Sequence, residues 1–241
     1  MVYKMEQEVP SYLCNRADRL HPWAAVRLCQ EVTEYHSNSL GAGFESLMEH
    51  NRAWVIVRSY YEFHRHARAF EKVMLNTWPR GNDGLFAFRD YRITTPTGEV
   101  LLTGTSYWTL IDYTQRRAVR LKDFINAYET TDELATNRAS LGRLAMPEFT
   151  ESDVVVRLTA QHSMIDHTQH VNNSEYIKWI FNALNLKGFY DSQAFSLELN
   201  FQHETKPGDN IAVAVKTVDN GYYAQVTNSF GASVNAYVQL P

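Results

Sequence analysis

Apolar residues recur along the chain with two different periods, and the order in which those periods alternate predicts its elements. From Pro22 to about Glu34 the positions Trp23, Val26, Leu28, Cys29 and Val32 fall at roughly helical spacing. Pro22 suits the first turn, where a missing N–H costs nothing. Ser37, Asn38 and Gly41 punctuate the end of this helix. Ahead of it, Val2 to Val9 reads as a short strand. From Trp54 the pattern changes to alternation, through Trp54 and Ile56, then Phe70, Val73, Leu75 and Thr77, then Leu85 to Ile93 and Leu101 to Ile111. The breaks, Arg80-Gly81-Asn82-Asp83-Gly84 and Thr95-Pro96-Thr97-Gly98, are turn chemistry, so this half predicts one helix followed by an antiparallel meander.

Thr130 to Met146 is polar, weakly periodic and followed by Pro147, which reads as a linker. The plan then repeats. Val154 to Ala160 is a strand and Ser174 to Leu186 a helix, with Tyr176, Ile177, Ile180, Phe181 and Leu184 forming one apolar stripe. Four strand-like runs follow: Ala194 to Phe201, Ile211 to Val218, Tyr222 to Asn228 and Ser233 to Leu240. A one-sided helix needs a sheet to lie on. One helix wrapped by an antiparallel sheet, twice in a chain, predicts an α+β protein with a tandem (double) hot-dog fold: one unit over 1–129, a linker over 130–147 and a second unit over 148–241. The halves share almost no residues, so the repeat rests on element order alone.

Composition narrows the class of protein without choosing a function. Of 241 residues, 44% are hydrophobic and 21% charged, enough for a packed core, and fourteen Tyr and five Trp suit broad sheets. A net charge of -4 gives no support to a nucleic-acid partner. Cys14 and Cys29 lack C-x-x-C spacing, which argues against a disulfide framework and fits a reducing compartment. The first residues hold no apolar core of the secretory kind, and runs such as Ala53 to Val57 are too short for a membrane span, so a soluble, cytoplasmic protein is expected.

The informative stretch is Ser163-Met164-Ile165-Asp166-His167-Thr168-Gln169-His170-Val171-Asn172-Asn173, set between a strand and the second helix. A loop there directs backbone N–H groups and the positive helix end at whatever lies above it, where a carbonyl becoming an oxyanion is stabilised. Asn172 or Asn173 is suited to cap the helix. An isolated D-x-x-x-H is usually no more than a turn-stabilising pair. His162, His167, His170 and His203 raise a metal hypothesis, but none of them are paired at i, i+4 on a convincing helix and no cysteine is near, so neither metal nor cofactor is expected.

Asp166-x-x-x-His170-Val171-Asn172-Asn173, followed by Tyr176-Ile177 and Trp179-Ile180, resembles the signature of the acyl-acyl carrier protein thioesterases, the plant enzymes and their bacterial relatives. Ala53 to Arg58, Thr77-Trp78 and Gly104 to Trp108 resemble the N-terminal half of that family less diagnostically. The resemblance implies a tandem hot-dog hydrolase that releases fatty acid from acyl carrier protein, with its acyl tunnel in the N-terminal half. It implies a carboxylate 34 residues after the histidine, in a strand of the second unit, and position 204 is Glu. Glu204 is then the general base, His170 orients the water or binds the carbonyl, and Asp166 holds the loop or a helix N–H. Thr168 stands where the family usually has Asn. Val171, Asn172, Asn173 and Trp54 are the substrate contacts. Many plant members carry Cys after the glutamate; here that position is Thr205, and no thiol adjoins Glu204 in sequence, which favours attack by water.

Three other readings compete with this one. The same chemistry on acyl-CoA is indistinguishable by sequence. A non-catalytic acyl-binding module acting as a regulator would want a basic helix-turn-helix, which the strand-like start does not offer. A hot-dog dehydratase would need another His/Asp arrangement. Arg116-Arg117-x-x-Arg120-x-Lys122 is the densest basic run, suited to an acidic carrier or its phosphopantetheine phosphate, or simply to a solvated hairpin. The Tyr60-Tyr61, Phe63 and Trp108 aromatics read as sheet core rather than tunnel lining. A homodimer is compatible with all of this.

Overall fold

The computed structural model describes residues 2–121, 129–187, 189 and 194–241. The alternating runs form strands β1 (Tyr3–Glu8), β2 (Arg52–Phe63), β3 (Lys72–Asn82), β4 (Ala87–Thr94) and β5 (Val100–Asp112) in the first half, which also holds the short β6 (Arg117–Ala118). The second half adds β7 (Val154–Thr159), β8 (Phe195–Phe201), β9 (Asn210–Val218), β10 (Gly221–Asn228) and β11 (Gly231–Gln239). The helices are α1 (Pro22–Ser39), α2 (Phe44–Glu49) and α3 (Asn173–Leu186). Each half lays one long helix against antiparallel strands, the tandem hot-dog arrangement.

The two sheets are one. Strand order runs β1-β3-β4-β5-β2-β8-β11-β10-β9-β7, with β6 paired only to β5, and the halves meet where β2 and β8 run antiparallel from Arg58 opposite Asn200 to Phe63 opposite Phe195. Pairing of this kind satisfies two strand edges that each half alone would expose. It also merges the cores. Buried residues of α1 (Ala25, Val26, Cys29, Val32), α3 (Ile177, Ile180, Leu184) and strands from both halves form a single cluster. The helices touch, with Arg27 Nη2 3.5 Å from Glu175 Oε1 and Lys178 Nζ 5.3 Å over the Trp23 ring.

Side chains alternate across β2, so Tyr61 enters that core while Tyr60 faces the other way. The segment 129–150 crosses this outer face without regular structure. Leu141 packs on Tyr60 and Tyr107, and its carbonyl accepts from Arg58 Nη1 at 2.7 Å. The Leu144 N–H donates to Asn200 Oδ1 at 2.8 Å, and the Trp78 indole donates to the Glu133 carbonyl at 2.9 Å. Its polar composition reflects a strap held largely by hydrogen bonds rather than by apolar burial.

Helix α1 runs five residues beyond the expected end near Glu34, because His36 and Ser37 are polar residues on its buried face. Gly41, at φ +69, ends it. At Gly43 a Cβ would lie 1.6 Å from Asn38 Oδ1, so a larger residue there would displace the Asn38 side chain. The six-residue α2 and the two-residue β6 are too short to carry a period, so the hydrophobic pattern does not predict them.

Candidate active site

The loop between β7 and α3 is organised by one carboxylate. A 3-10 turn at His162–Met164 leads into a bridge between Ile165 and Val171, with the Asp166 N–H donating to the His170 carbonyl at 2.9 Å and the Asn172 N–H to the Met164 carbonyl at 3.0 Å. Gln169 makes the tight return at φ +67. Asp166 Oδ1 accepts from the Thr168 N–H at 2.9 Å and from its hydroxyl at 2.5 Å, while Oδ2 accepts from Asn172 Nδ2 at 3.1 Å. Asn172 in turn caps α3 through Oδ1, which accepts from the Ser174 N–H at 2.9 Å and hydroxyl at 2.6 Å. Asp166 therefore holds the loop through Thr168 and the capping amide, and does not bond a helix N–H itself. Thr168 supplies both donors from one residue.

Glu204 lies in the loop after β8 rather than in a strand. The chain leaves the sheet at Phe201, where the Gln202 N–H still reaches the Ser233 carbonyl at 2.8 Å; beyond it the Thr205 N–H donates instead to the Tyr176 hydroxyl of α3 at 3.0 Å. Asn228 Nδ2 donates to the Glu204 carbonyl at 3.0 Å. These bonds brace the loop against both the helix and the neighbouring strand and turn the Glu204 side chain toward His170.

Glu204 Oε2 lies 2.9 Å from His170 Nε2. Arg116, from the β5–β6 turn of the other half, brings Nη1 to 3.3 Å from the same oxygen and 3.2 Å from the same ring nitrogen. One Nε2 cannot both donate to Glu204 and accept from Arg116. The shorter, charge-assisted geometry assigns the proton to Nε2, donating to Glu204, with Arg116 as a second donor to the carboxylate. Arg116 adopts φ +55 and stacks 5.0 Å over Tyr113 to reach this position. The basic run is thus divided: Arg116 is turned into the site, Arg117 and Arg120 remain exposed, and Lys122 lies outside the described residues.

All these groups border one cavity of about 550 Å³. Its mouth carries Asp166, Thr168, His170, Val171, Asn172, Asn173 and Glu204, and its walls come largely from the first half, including Trp54, Val55, Ile56, Phe88 and Trp108. Trp108 therefore lines the cavity, whereas Tyr61 and Phe63 are core. His167 closes one side, its ring edge-on to Phe44 of α2 at 5.3 Å. A carboxylate in contact with an imidazole, beside the amino end of a helix and open to an apolar-walled cavity, is equipped for general acid–base chemistry on an acyl carbonyl. Neither cysteine borders the cavity, and burial pushes the Cys29 thiol up. Among the described residues no three His, Cys, Asp or Glu side chains converge on a metal-sized site.

Sequence reasoning missed three contributors. Tyr176 reads as part of an apolar stripe, and only its hydroxyl's bond to the Thr205 N–H reveals a bracing role. Arg116 is visible in the sequence as charge but not as a partner of Glu204. Arg89, a cation deep in the cavity wall, has no motif around it.

Residues 1–128 match the family model for the acyl-ACP thioesterase N-terminal domain and residues 148–235 that for the C-terminal domain. The chain is 26% identical to the chloroplastic oleoyl-acyl carrier protein thioesterase of Coriandrum sativum over 204 residues, covering 76% of this chain and 54% of that one. It is 25% identical to oleoyl-acyl carrier protein thioesterase 2 of Arabidopsis thaliana, over 88% of this chain and 62% of that one. The chain thus spans somewhat over half the length of these curated relatives. The solved 12:0-ACP thioesterase of Umbellularia californica superimposes with a TM-score of 0.85 at 20% identity, covering 99% of this chain and 96% of that one, a likeness of fold.

Proposed function

The chain belongs to the acyl-ACP thioesterase family, and from that premise we propose that it hydrolyses the thioester of fatty acyl-acyl carrier protein, releasing free fatty acid as a cytoplasmic step of fatty acid biosynthesis. The observation that carries this reading is the 2.9 Å contact between His170 Nε2 and Glu204 Oε2 at the mouth of a cavity with apolar walls. In this reading the unit 148–241 supplies the catalytic groups, the strap over 130–147 links it to the unit 1–129, and that first unit supplies the acyl tunnel. The two unpaired cysteines suit a reducing compartment.

Glu204 removes a proton from water as the water oxygen bonds to the thioester carbon and the carbonyl electron pair moves onto oxygen. The oxyanion gathers at the amino end of α3, where backbone dipoles favour negative charge. Collapse of the tetrahedral species breaks the C–S bond, and the proton held by Glu204 passes to the departing thiolate. His170 orients Glu204 through Nε2–H, and Glu204 in turn holds the water. Asp166 and Thr168 keep His170 in place, and Val171, Asn172, Asn173 and Trp54 border the thioester and the first part of the chain.

The Glu204→Gln variant tests the assignment. It keeps the shape and removes the base, so turnover should fall by at least ~100-fold while thermal unfolding stays near wild type. Full turnover by a folded Glu204→Gln protein sinks this mechanism. Assays with the same acyl group on acyl carrier protein and on CoA decide the carrier.

A further inference from the structure

The cavity has a second polar end that hydrolysis does not use. Behind its apolar walls β3, β4, β5 and the last turns of α1 enclose His36, Thr77, Tyr91 and Ser106, all at most 6% exposed. The guanidinium of Arg89, on β4, enters this group and borders the cavity. Its Nη1 donates to His36 Nδ1 at 3.1 Å and to Thr77 Oγ1 at 3.2 Å. Among the described residues Nε and Nη2 make no hydrogen bond, and no carboxylate lies within ion-pair distance.

The neighbouring arginine shows that the fold can do otherwise. Arg80 Nε lies 3.2 Å from Asp90 Oδ1, a neutralised pair. Among the described residues the hydrogen-bond partners of Arg89 are neutral: burial first, and Arg89 itself second, hold His36 down at about 4, so the imidazole is an uncharged acceptor at neutral pH. Desolvation likewise lowers the pKa of Arg89, the mark of a charge set in poor surroundings. On the same cavity Gln30 Oε1 is buried without a hydrogen-bond partner among the described residues. A plain alkyl terminus packed into this end would strip the remaining water from a guanidinium and return no hydrogen bond.

We propose that the acyl group taken by this cavity carries an oxygen function, hydroxyl, oxo or carboxylate, toward the end remote from the thioester, and that Arg89 Nε and Nη2 donate to it, making Arg89 a specificity-determining residue. This rests on the reading above that the cavity holds the acyl chain. Thr77 and His36 fix one edge of the guanidinium and leave the other two donors aimed at the ligand. The fork geometry suits a carboxylate with two acceptors as well as a single oxygen.

Acyl-acyl carrier protein substrates of matched length, unsubstituted or bearing a terminal hydroxyl, oxo or carboxyl group, test this across chain lengths. Non-hydrolysable acyl-pantetheine amides with the same chains give calorimetric affinities that do not depend on turnover. The expected result is a preference of at least ~10-fold in kcat/KM and in affinity for an oxygenated chain at one or more lengths, lost in Arg89→Met and only partly kept in Arg89→Lys. Unsubstituted chains preferred at every length overturn the proposal, as does a preference that survives in Arg89→Met. Should Arg89→Met fail to fold, the wild-type comparison and Arg89→Lys decide. Arg89-dependent binding of the oxygenated amides without hydrolysis of any thioester would refute the thioesterase reading alone; hydrolysis without preference would refute the specificity alone.

Discussion

Replacing Asp166 by asparagine tests whether this carboxylate organises the loop, because the change keeps size and removes one acceptor. In the wild type Oδ1 takes both donors of Thr168 and Oδ2 takes Asn172 Nδ2. In Asp166→Asn the amide oxygen still serves Thr168, but the new NH₂ meets the NH₂ of Asn172, donor against donor. Asn172 can relieve the clash by flipping, and then its NH₂ faces the Ser174 N–H and the α3 cap is lost. Losing a hydrogen bond to a charged acceptor costs about 1.5–3 kcal/mol and losing the cap about 1 kcal/mol. These losses are alternatives, and the partial exposure of the loop favours the lower values, so Asp166→Asn should destabilise the protein by about 1–2 kcal/mol. Urea unfolding should show a lower midpoint at unchanged slope. Turnover should fall at least ~10-fold at temperatures where the variant is folded, since His170 hangs on the same loop, two residues from Thr168. A variant with wild-type turnover and a stability change under about 0.5 kcal/mol would refute the idea that Asp166 organises the site.

Three further outcomes are expected. Neutralising Arg117 and Arg120, the exposed arginines of the basic run, should slow the carrier-protein substrate several-fold more than an acyl-CoA, with the difference shrinking at high salt; equal effects discredit the docking role. His36 is held at about 4 against an ordinary 6.5, chiefly by burial, so the unfolded chain binds its proton first as pH falls. Stability from this group is therefore complete above about pH 6.5 and is lost as pH drops toward 4, by roughly 1.4 kcal/mol per unit as an upper bound that solvent in the cavity reduces. In His36→Gln the fall in urea midpoint between about pH 6.5 and 4.5 should be smaller, and an unchanged fall removes His36 as its cause. Alkylation should modify the half-buried Cys14 before the buried Cys29 and leave most hydrolysis intact; complete loss of activity on modifying Cys14 alone would reopen a thiol mechanism.

Much of the fold was legible because it rests on periods that burial imposes locally. β5, α3, β9, β10 and β11 fall within a residue or two of the alternating or helical runs that predicted them. Legibility failed where a buried face is polar, as at His36 and Ser37 of α1, and where an element is too short to show a period, as in α2 and β6. The loop from Asp166 to Asn172 was legible for a related reason: the hydrogen bonds of Asp166 join residues at most six apart, so spacing and chemistry appear together in the chain.

Sequence alone determined the order of the longer elements, the tandem plan, the capped helix behind a D-x-x-x-H loop and a carboxylate 34 positions downstream. Tertiary structure alone decided that β2 and β8 fuse two sheets into one, that Arg116 reaches 88 positions to Glu204, and that Arg89 borders the cavity with no counter-charge among the described residues. The physical reason is range. Periodicity and capping record interactions within a few residues, whereas edge pairing, ion pairs between halves and the polarity of a cavity wall depend on which distant surfaces pack together, and no local pattern encodes that.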